Sequence, residues 1–209
     1  MRITVFGSTG RIGSAVVTEA HERGHDVTAV VHRRPATVPE GVATERVDLE
    51  DPEQVRAACA GRDVVVSAIG WTPEQPDDLL GRAAGALLEA VRGTDTRLLI
   101  VGGAGTLLTP TGLYVDSPEF PADRRRNSLA HVAALTELKG TDNAAGWTYL
   151  CPPAMIAPGE RTGRYRVGDH RMLDDPQGLP RISIVDFAVA VVDLATADEP
   201  TLGHCTVAY

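Results

Sequence analysis

The sharpest constraint on this chain lies near its start, where a short β-rich run, Ile3-Thr-Val-Phe6, breaks directly into Gly7-Ser8-Thr9-Gly10-Arg11-Ile12-Gly13. From Arg11 to Arg23 the apolar residues Ile12, Ala15, Val16 and Ala20 recur on one helical stripe, and Gly24 follows as a stop. A strand that turns through glycines into an amphipathic helix leaves the first helical N–H groups without acceptors, beside backbone bare of side chains. Glycine at these positions permits the tight turn and the close approach of main chain. The free amides and the positive helix end then suit a diphosphate.

The remainder of the chain keeps the rhythm that this turn begins. Asp26–Val31 reads as a second strand and Glu45–Asp48 as a short third. Asp51-Pro52-Glu53 supplies an N-cap, a first-position proline and a first-turn acid for a helix that closes at Gly61. Asp63–Ser67 is a continuous apolar run of the kind buried on both faces of a sheet. A helix is predicted over Pro76–Arg92, then a strand over Arg97–Val101 and a long Pro/Gly/Thr-rich loop to Pro121. Asp123–Lys139 reads as the next helix and Trp147–Cys151 as the sixth strand. Residues 152–180 hold much of the Pro and Gly and form an irregular lobe with room for one small hairpin. Arg181–Ser183, Val185–Ala197 and His204–Tyr209 complete the pattern as strand, helix and strand. Strands alternating with helices predict an α/β, Rossmann-type, doubly wound parallel sheet with a small irregular C-terminal substrate lobe. The 209 residues fit one domain spanning 1–209. Ligands in such sheets lie beyond the carboxyl ends of the strands, at the point where strand order reverses.

Composition narrows the partners. The formal net charge of −8 argues against nucleic acid or an anionic membrane surface. Arg124-Arg125-Arg126 follows Glu119 and Asp123 and reads as a solvated helix face. Cys59, Cys151 and Cys205 share no metal-ligand or Cys-x-x-Cys spacing, and Cys59 and Cys151 are expected as buried thiols in a reducing compartment. His21, His25, His170 and His204 are too dispersed to suggest a metal site. A strand follows Met1 almost at once, which leaves no room for a signal peptide, and no apolar run has transmembrane length. The expectation is a cytoplasmic protein, monomeric or homodimeric.

The end of the second strand bears on which cofactor is held. In the NAD-type arrangement a carboxylate about 20 residues past the glycines takes the ribose 2′-hydroxyl. Here the strand runs out as Val30-Val31-His32-Arg33-Arg34, with no acid. Arg33 and Arg34 are placed to meet a 2′-phosphate, so NADP(H) is preferred, with NAD(H) as the other cofactor the site admits. Asp48-Leu49 follows the third strand where a side chain reaches an adenine edge. Ala68-Ile69-Gly70 ends the fourth strand in a small-residue turn that lets the adenosine and pyrophosphate pass.

GSTGRIG, VVHRR, VDLED, VSAIG, VGGAGTL, VDSPEFP, PGERTGRYRVG and ISIVDFAVA together resemble the atypical short-chain dehydrogenase/reductase superfamily. Within it they resemble the NAD(P)H-binding proteins assigned as NADH-flavin reductases, which are similar to biliverdin-IXβ/flavin reductase. The resemblance covers essentially the whole chain. It implies Gly7–Gly13 on the pyrophosphate, Arg33 with its neighbours His32 and Arg34 at the 2′-phosphate, and Asp48-Leu49 near adenine. It also implies Ala68, Ile69 and Gly70 along the cofactor with Gly102 and Gly103, and Pro152, Pro153, Ala154 and Met155 beside the nicotinamide.

One departure governs the mechanism. Ordinary members of the superfamily use a Tyr-x-x-x-Lys pair to move a proton at a carbonyl. This chain has a single lysine, Lys139, and the residue four before it is Leu135. Aligning Glu137 with the acid that often follows the pair puts Leu129 and Ala133 at its positions, so no register restores it. Hydride transfer to a small-molecule acceptor of flavin or quinone type, protonated from water, survives this loss. The acceptor is expected between the Gly102–Asp116 loop and the Pro152–Arg166 lobe. Tyr114, read as loop packing, and His131, read as a helix-surface residue, are the nearby candidates for acid–base help. Trp71 is placed either to stack on a ligand or to pack its loop. A non-catalytic NADP(H) redox sensor is the first rival, and an epimerase- or dehydratase-like enzyme, which needs the missing pair, is the second.

Overall fold

The computed structural model describes residues 1–32, 35–141, 146–176 and 178–209. In chain order the elements are β1 (Arg2–Phe6), α1 (Arg11–Glu22), β2 (Asp26–Val31), β3 (Ala43–Arg46), α2 (Pro52–Cys59), β4 (Val64–Ser67), α3 (Leu79–Val91) and β5 (Arg97–Val101). They continue with β6 (Leu108–Thr109), β7 (Gly112–Leu113), α4 (Arg125–Gly140), β8 (Trp147–Cys151), β9 (Met155–Ala157), β10 (Arg166–Gly168), β11 (Arg181–Ser183), α5 (Ile184–Thr196) and β12 (Gly203–Ala208).

Eight strands form one sheet in the order β10-β12-β8-β5-β4-β1-β2-β3, parallel throughout except where β10 runs antiparallel to β12. The fold is therefore the doubly wound Rossmann type. The chain builds outward from β1 to β3, then returns across β1 to place β4 on its other side. That reversal opens a crevice above the carboxyl ends of β1 and β4. β4 is buried along its whole length, as its apolar run requires. At the far edge β3 carries Glu45 and Arg46, charges that protect an open edge from further pairing.

Helices cover both faces. On one, Val16, Val17 and Ala20 of α1 and Phe187 and Val191 of α5 pack on Ile3, Val5 and Val66. On the other, Val55 of α2, Leu87 and Leu88 of α3 and Leu138 of α4 pack on Phe6, Leu98 and Ile100. Each fully buried Val, Leu or Phe contributes about 1.5–3 kcal/mol, so these two layers hold the sheet between them. All three cysteines are buried and unpaired, Cys205 as well as the expected two.

Several boundaries differ from the sequence reading. β3 lies two residues earlier than expected, although the Val47 N–H still donates to the Val31 carbonyl at 3.0 Å. α3 starts at Leu79 rather than Pro76, because the Leu79 N–H donates to the Pro76 carbonyl in a preceding turn. The segment before α4 holds three short 3₁₀ turns, at Ala104–Thr106, Tyr114–Asp116 and Ala122–Arg124, and the short hairpin of the two-residue strands β6 and β7. Among the described residues of 152–180, the named strands do not pair with each other as a hairpin, and the antiparallel pairing there is a single bridge between Asp175 and Gly178. β9 pairs in parallel with β11, and β10 extends the main sheet at β12, because partners outside the lobe offer open strand edges.

That lobe is tied to the helices by buried carboxylates. Asp186, fully buried in the first turn of α5, accepts from the Thr162 and Gly163 N–H groups, the Thr162 hydroxyl and the Tyr209 hydroxyl. Glu19 on α1 receives two bonds from Arg161 and one from Arg23. Burial alone raises the Asp186 carboxyl, yet the Thr162, Gly163 and Tyr209 donors hold it below the usual carboxylate range. The folded chain thus binds fewer protons here than the unfolded chain. The stabilisation is complete above the ordinary aspartate value and is lost as pH falls through the lower folded one. Asp186→Asn is expected to lower stability by about 2 kcal/mol, as for hydrogen bonds to a charge. Urea unfolding across acidic pH should show the wild type losing stability below about pH 4 while the variant's curve is shallower there. Parallel curves would contradict this assignment.

Candidate active site

The turn after β1 is shaped by main-chain crowding. Gly7 has φ +75°, and a side chain on it would put Cβ 2.4 Å from the Ala68 carbonyl oxygen at the end of β4. A Cβ on Gly13 would lie 2.2 Å from the Gly7 carbonyl oxygen. β1, β4 and α1 therefore meet at distances that only glycine allows. Gly10 forms the N-cap and offers no capping side chain. The first helical bond runs from the Ser14 N–H to the Gly10 carbonyl at 2.8 Å, so the amides of Arg11, Ile12 and Gly13 precede it and have no acceptor within the helix. α1 has no acid in its first turn to neutralise them. This cradle fits a dinucleotide's diphosphate.

Beside it opens a groove of about 560 Å³, the size of an ordinary small-molecule site. Gly10, Arg11 and Ile12 border it at the cradle, with Ala68–Thr72 from the end of β4 and Val101–Ala104 from the end of β5. Tyr114, Phe120 and Trp71 contribute aromatic surface, and Pro152, Pro153, Ala154 and Ile156 close the lobe side. Arg124, Asn127, Ser128 and His131 supply a polar stripe. Their spacing of three, four and seven residues puts them on one side of the turn and helix that carry them.

The wall is braced from behind. The Trp71 indole N–H donates to the Pro76 carbonyl at 2.9 Å, and the Arg126 guanidinium lies 4.8 Å over the ring while pairing with Asp77. Arg125 donates to the Val115 carbonyl and lies 5.7 Å over Phe120. Two arginines expected on a solvated face are thus engaged in the groove's walls, because the loops after β4 and after β5 fold back over α4. Tyr114 packs edge-on to Phe120 with ring centres 4.9 Å apart, as loop packing requires.

His131 is a correction: it is buried, not a surface residue. Its Nδ1 lies 3.1 Å from the Tyr149 hydroxyl, which also lies 3.1 Å from the His131 carbonyl. Burial pushes the imidazole down to about 4, so the ring is neutral near pH 7.

Other predicted positions fall around the cradle rather than in the groove. The Ser8 hydroxyl donates to the Val30 carbonyl at 2.6 Å, leaving only its main chain free, while Thr9 is exposed. His32 and Asp48 meet at 3.9 Å across the ends of β2 and β3, with Leu49 beside them, and both are exposed. Met155 is half exposed and Ile156 takes its expected place at the groove, since side chains alternate along β9. Arg33 and Arg34 lie outside the described residues. The sequence reading missed Phe120, Asn127, Ser128 and Ile156. The helical spacing of Asn127 and Ser128 with His131 was the signal available for two of them.

A diphosphate cradle at the switch point, continuous with an apolar groove, is the arrangement of a dinucleotide-binding Rossmann protein. A family model described as NAD(P)H-binding matches residues 7–195, and the chain belongs to that family. The uncharacterised protein YwnB of Bacillus subtilis is 34% identical over 200 residues, covering 92% of this chain and 91% of YwnB. A Streptococcus pneumoniae protein provisionally assigned as an NADH-flavin reductase has a crystal structure that superposes with a TM-score of 0.89 at 29% identity, covering 100% of this chain and 99% of that one. A 3-diazoavenalumate denitrifying reductase from Streptomyces is 27% identical over 225 residues, covering 96% of this chain and 74% of the relative.

Gly13→Ala is expected to fold with reduced stability and to bind NADPH at least about tenfold more weakly, ~1.4 kcal/mol. Fluorescence titration of a variant shown to be folded by circular dichroism measures this. Wild-type affinity in that variant would place the diphosphate elsewhere.

Proposed function

We propose that this protein is an NADPH-dependent reductase whose acceptor is a planar, electron-poor molecule of flavin or quinone type held in the groove. The observation that carries the reading is the groove's lining. Beside the cradle it offers aromatic and proline surface and, among the described residues, no lysine and no carboxylate. Lys139 sits near the far end of α4, and Leu135, four residues before it, is buried in the core. Bound nicotinamide supplies a hydride, that is, two electrons and one proton, and an acceptor of this type takes its second proton from water.

The chain's own part is positional. Gly10–Gly13 amides hold the diphosphate, and the Pro152–Ala154 corner and the Gly102-Gly103 main chain border the space for a flat ring over the cofactor. Trp71, Tyr114 and Phe120 exclude water from its faces. Arg33 and Arg34, at the end of the second strand where an NAD-type site carries an acid, support NADPH over NADH. The reductase name of the Streptomyces relative and the flavin-reductase assignment of the Streptococcus structure agree with hydride transfer as the shared chemistry.

NADPH oxidation is expected with riboflavin, FMN or menadione as acceptor, faster than with NADH, and Arg33→Asp should reduce or reverse the preference. Tight NADPH binding without turnover across that panel would make the protein a redox sensor instead. Between about pH 6 and 8 the turnover should show no inflection from His131, which is already neutral there.

A further inference from the structure

The proposed reductase reading leaves His131 without a task, yet its ring is one of the most constrained polar groups in the molecule. The Tyr149 hydroxyl has one proton and two neighbours, the His131 carbonyl and Nδ1, each at 3.1 Å. Donation to Nδ1 would face the phenolic lone pairs to the carbonyl oxygen. Donation to the carbonyl, with Nδ1–H donating back to the hydroxyl, satisfies both contacts. The neutral ring therefore carries its proton on Nδ1 and a bare lone pair on Nε2.

The ring's two edges have different surroundings. Nδ1 and Cδ2 flank Cγ. Tyr149 holds the Nδ1 side, and it and His131 also line a void of about 10 Å³ with Ser67, Leu80 and Ala84, which has room for about one water at most. On the other side a Cβ on Gly103 would lie 2.8 Å from His131 Cδ2, so that edge rests on bare main chain that itself borders the groove. Nε2 is bonded to Cδ2, and His131 is part of the groove's lining. No hydrogen-bond partner for it occurs among the described residues.

Resting on the reductase reading, we propose that Nε2 of His131 accepts a hydrogen bond from a ring N–H of the acceptor. The groove would then select flat heteroaromatics with an imide-like N–H edge, as in a flavin, over acceptors without such a donor. Tyr149 is the positioning residue, since its hydroxyl keeps the proton on Nδ1 and the lone pair on Nε2.

The test compares riboflavin with N3-methylriboflavin, which lacks the donor, as acceptors for NADPH. The wild type should favour riboflavin in kcat/KM by about tenfold, the worth of one neutral hydrogen bond. In His131→Leu the ratio should fall to about one, in His131→Gln, which keeps an acceptor at the Nε2 position, it should persist in part, and in Tyr149→Phe it should shrink. Equal use of both flavins by the wild type, or a ratio unchanged in His131→Leu, overturns the inference and leaves the reductase reading standing. Reduction of menadione but of neither flavin does the same. Turnover of none of them removes the reductase reading and this inference together. Should His131→Leu fail to fold, the wild-type ratio still decides.

Discussion

Three backbones meet where the sheet reverses direction, and they meet closer than any side chain permits. Gly7 lies against the Ala68 carbonyl and Gly13 against the Gly7 carbonyl, at separations of 2.4 and 2.2 Å for an added Cβ. This crowding draws the start of α1 down onto the ends of β1 and β4. The helix's unbonded amides then face the crevice rather than solvent or a capping side chain. A capping serine or aspartate at Gly10 would stabilise the isolated helix by roughly a few tenths of a kcal/mol. It would also occupy the donors that a diphosphate needs. Local stability is thus given up where binding requires it, and the two buried layers on either side of the sheet make the loss tolerable.

The groove depends on a second arrangement, the docking of α4 over the end of β5. α4 has an apolar side that joins the core through Leu135 and Leu138, and a polar side that opens on the groove through Asn127, Ser128 and His131. Arg125 and Arg126 fasten the helix to the loops on either side, one through the Val115 carbonyl and Phe120, the other through Asp77 and Trp71. The aromatic walls are therefore held by cations in addition to apolar contact, with Leu80, Ala130 and Ala134 around Trp71 and Val115 beside Tyr114 and Phe120. Such cation–π contacts gain strength where water is excluded.

The parts of this design that sequence alone revealed are those with a local cause. The glycine turn, the Asp51 cap, whose carboxylate does accept from the Glu53 and Gln54 amides, and the all-apolar β4 each follow from neighbouring residues. What escaped depends on partners far along the chain. His131 looks like one polar residue on a mixed helix until Tyr149, 18 residues later, is packed beneath it. β10 pairs with a strand some 40 residues away, which no turn signal near it announces. Met155 and Ile156 differ only in the parity of a three-residue strand, and parity is set by register, not composition. Arg124–Arg126 form an ordinary charge run in sequence, and their separate tasks appear only once the loops around Trp71 and Phe120 are in place.

The loss of the Tyr-x-x-x-Lys pair and the burial of His131 have a common chemical consequence. A neutral imidazole whose proton is committed to Tyr149 can accept a hydrogen bond at Nε2 but has none to give. A carbonyl gaining hydride develops negative charge on oxygen and needs a donor there. Nε2 would repel that charge. An acceptor that delocalises the incoming electrons over a conjugated ring and keeps its own N–H places no such demand on the wall. On the proposed reading, the groove's buried imidazole would disfavour simple ketones and favour ring systems that carry both an electron sink and a donor, through a single lone pair set in place by a phenol on the neighbouring strand.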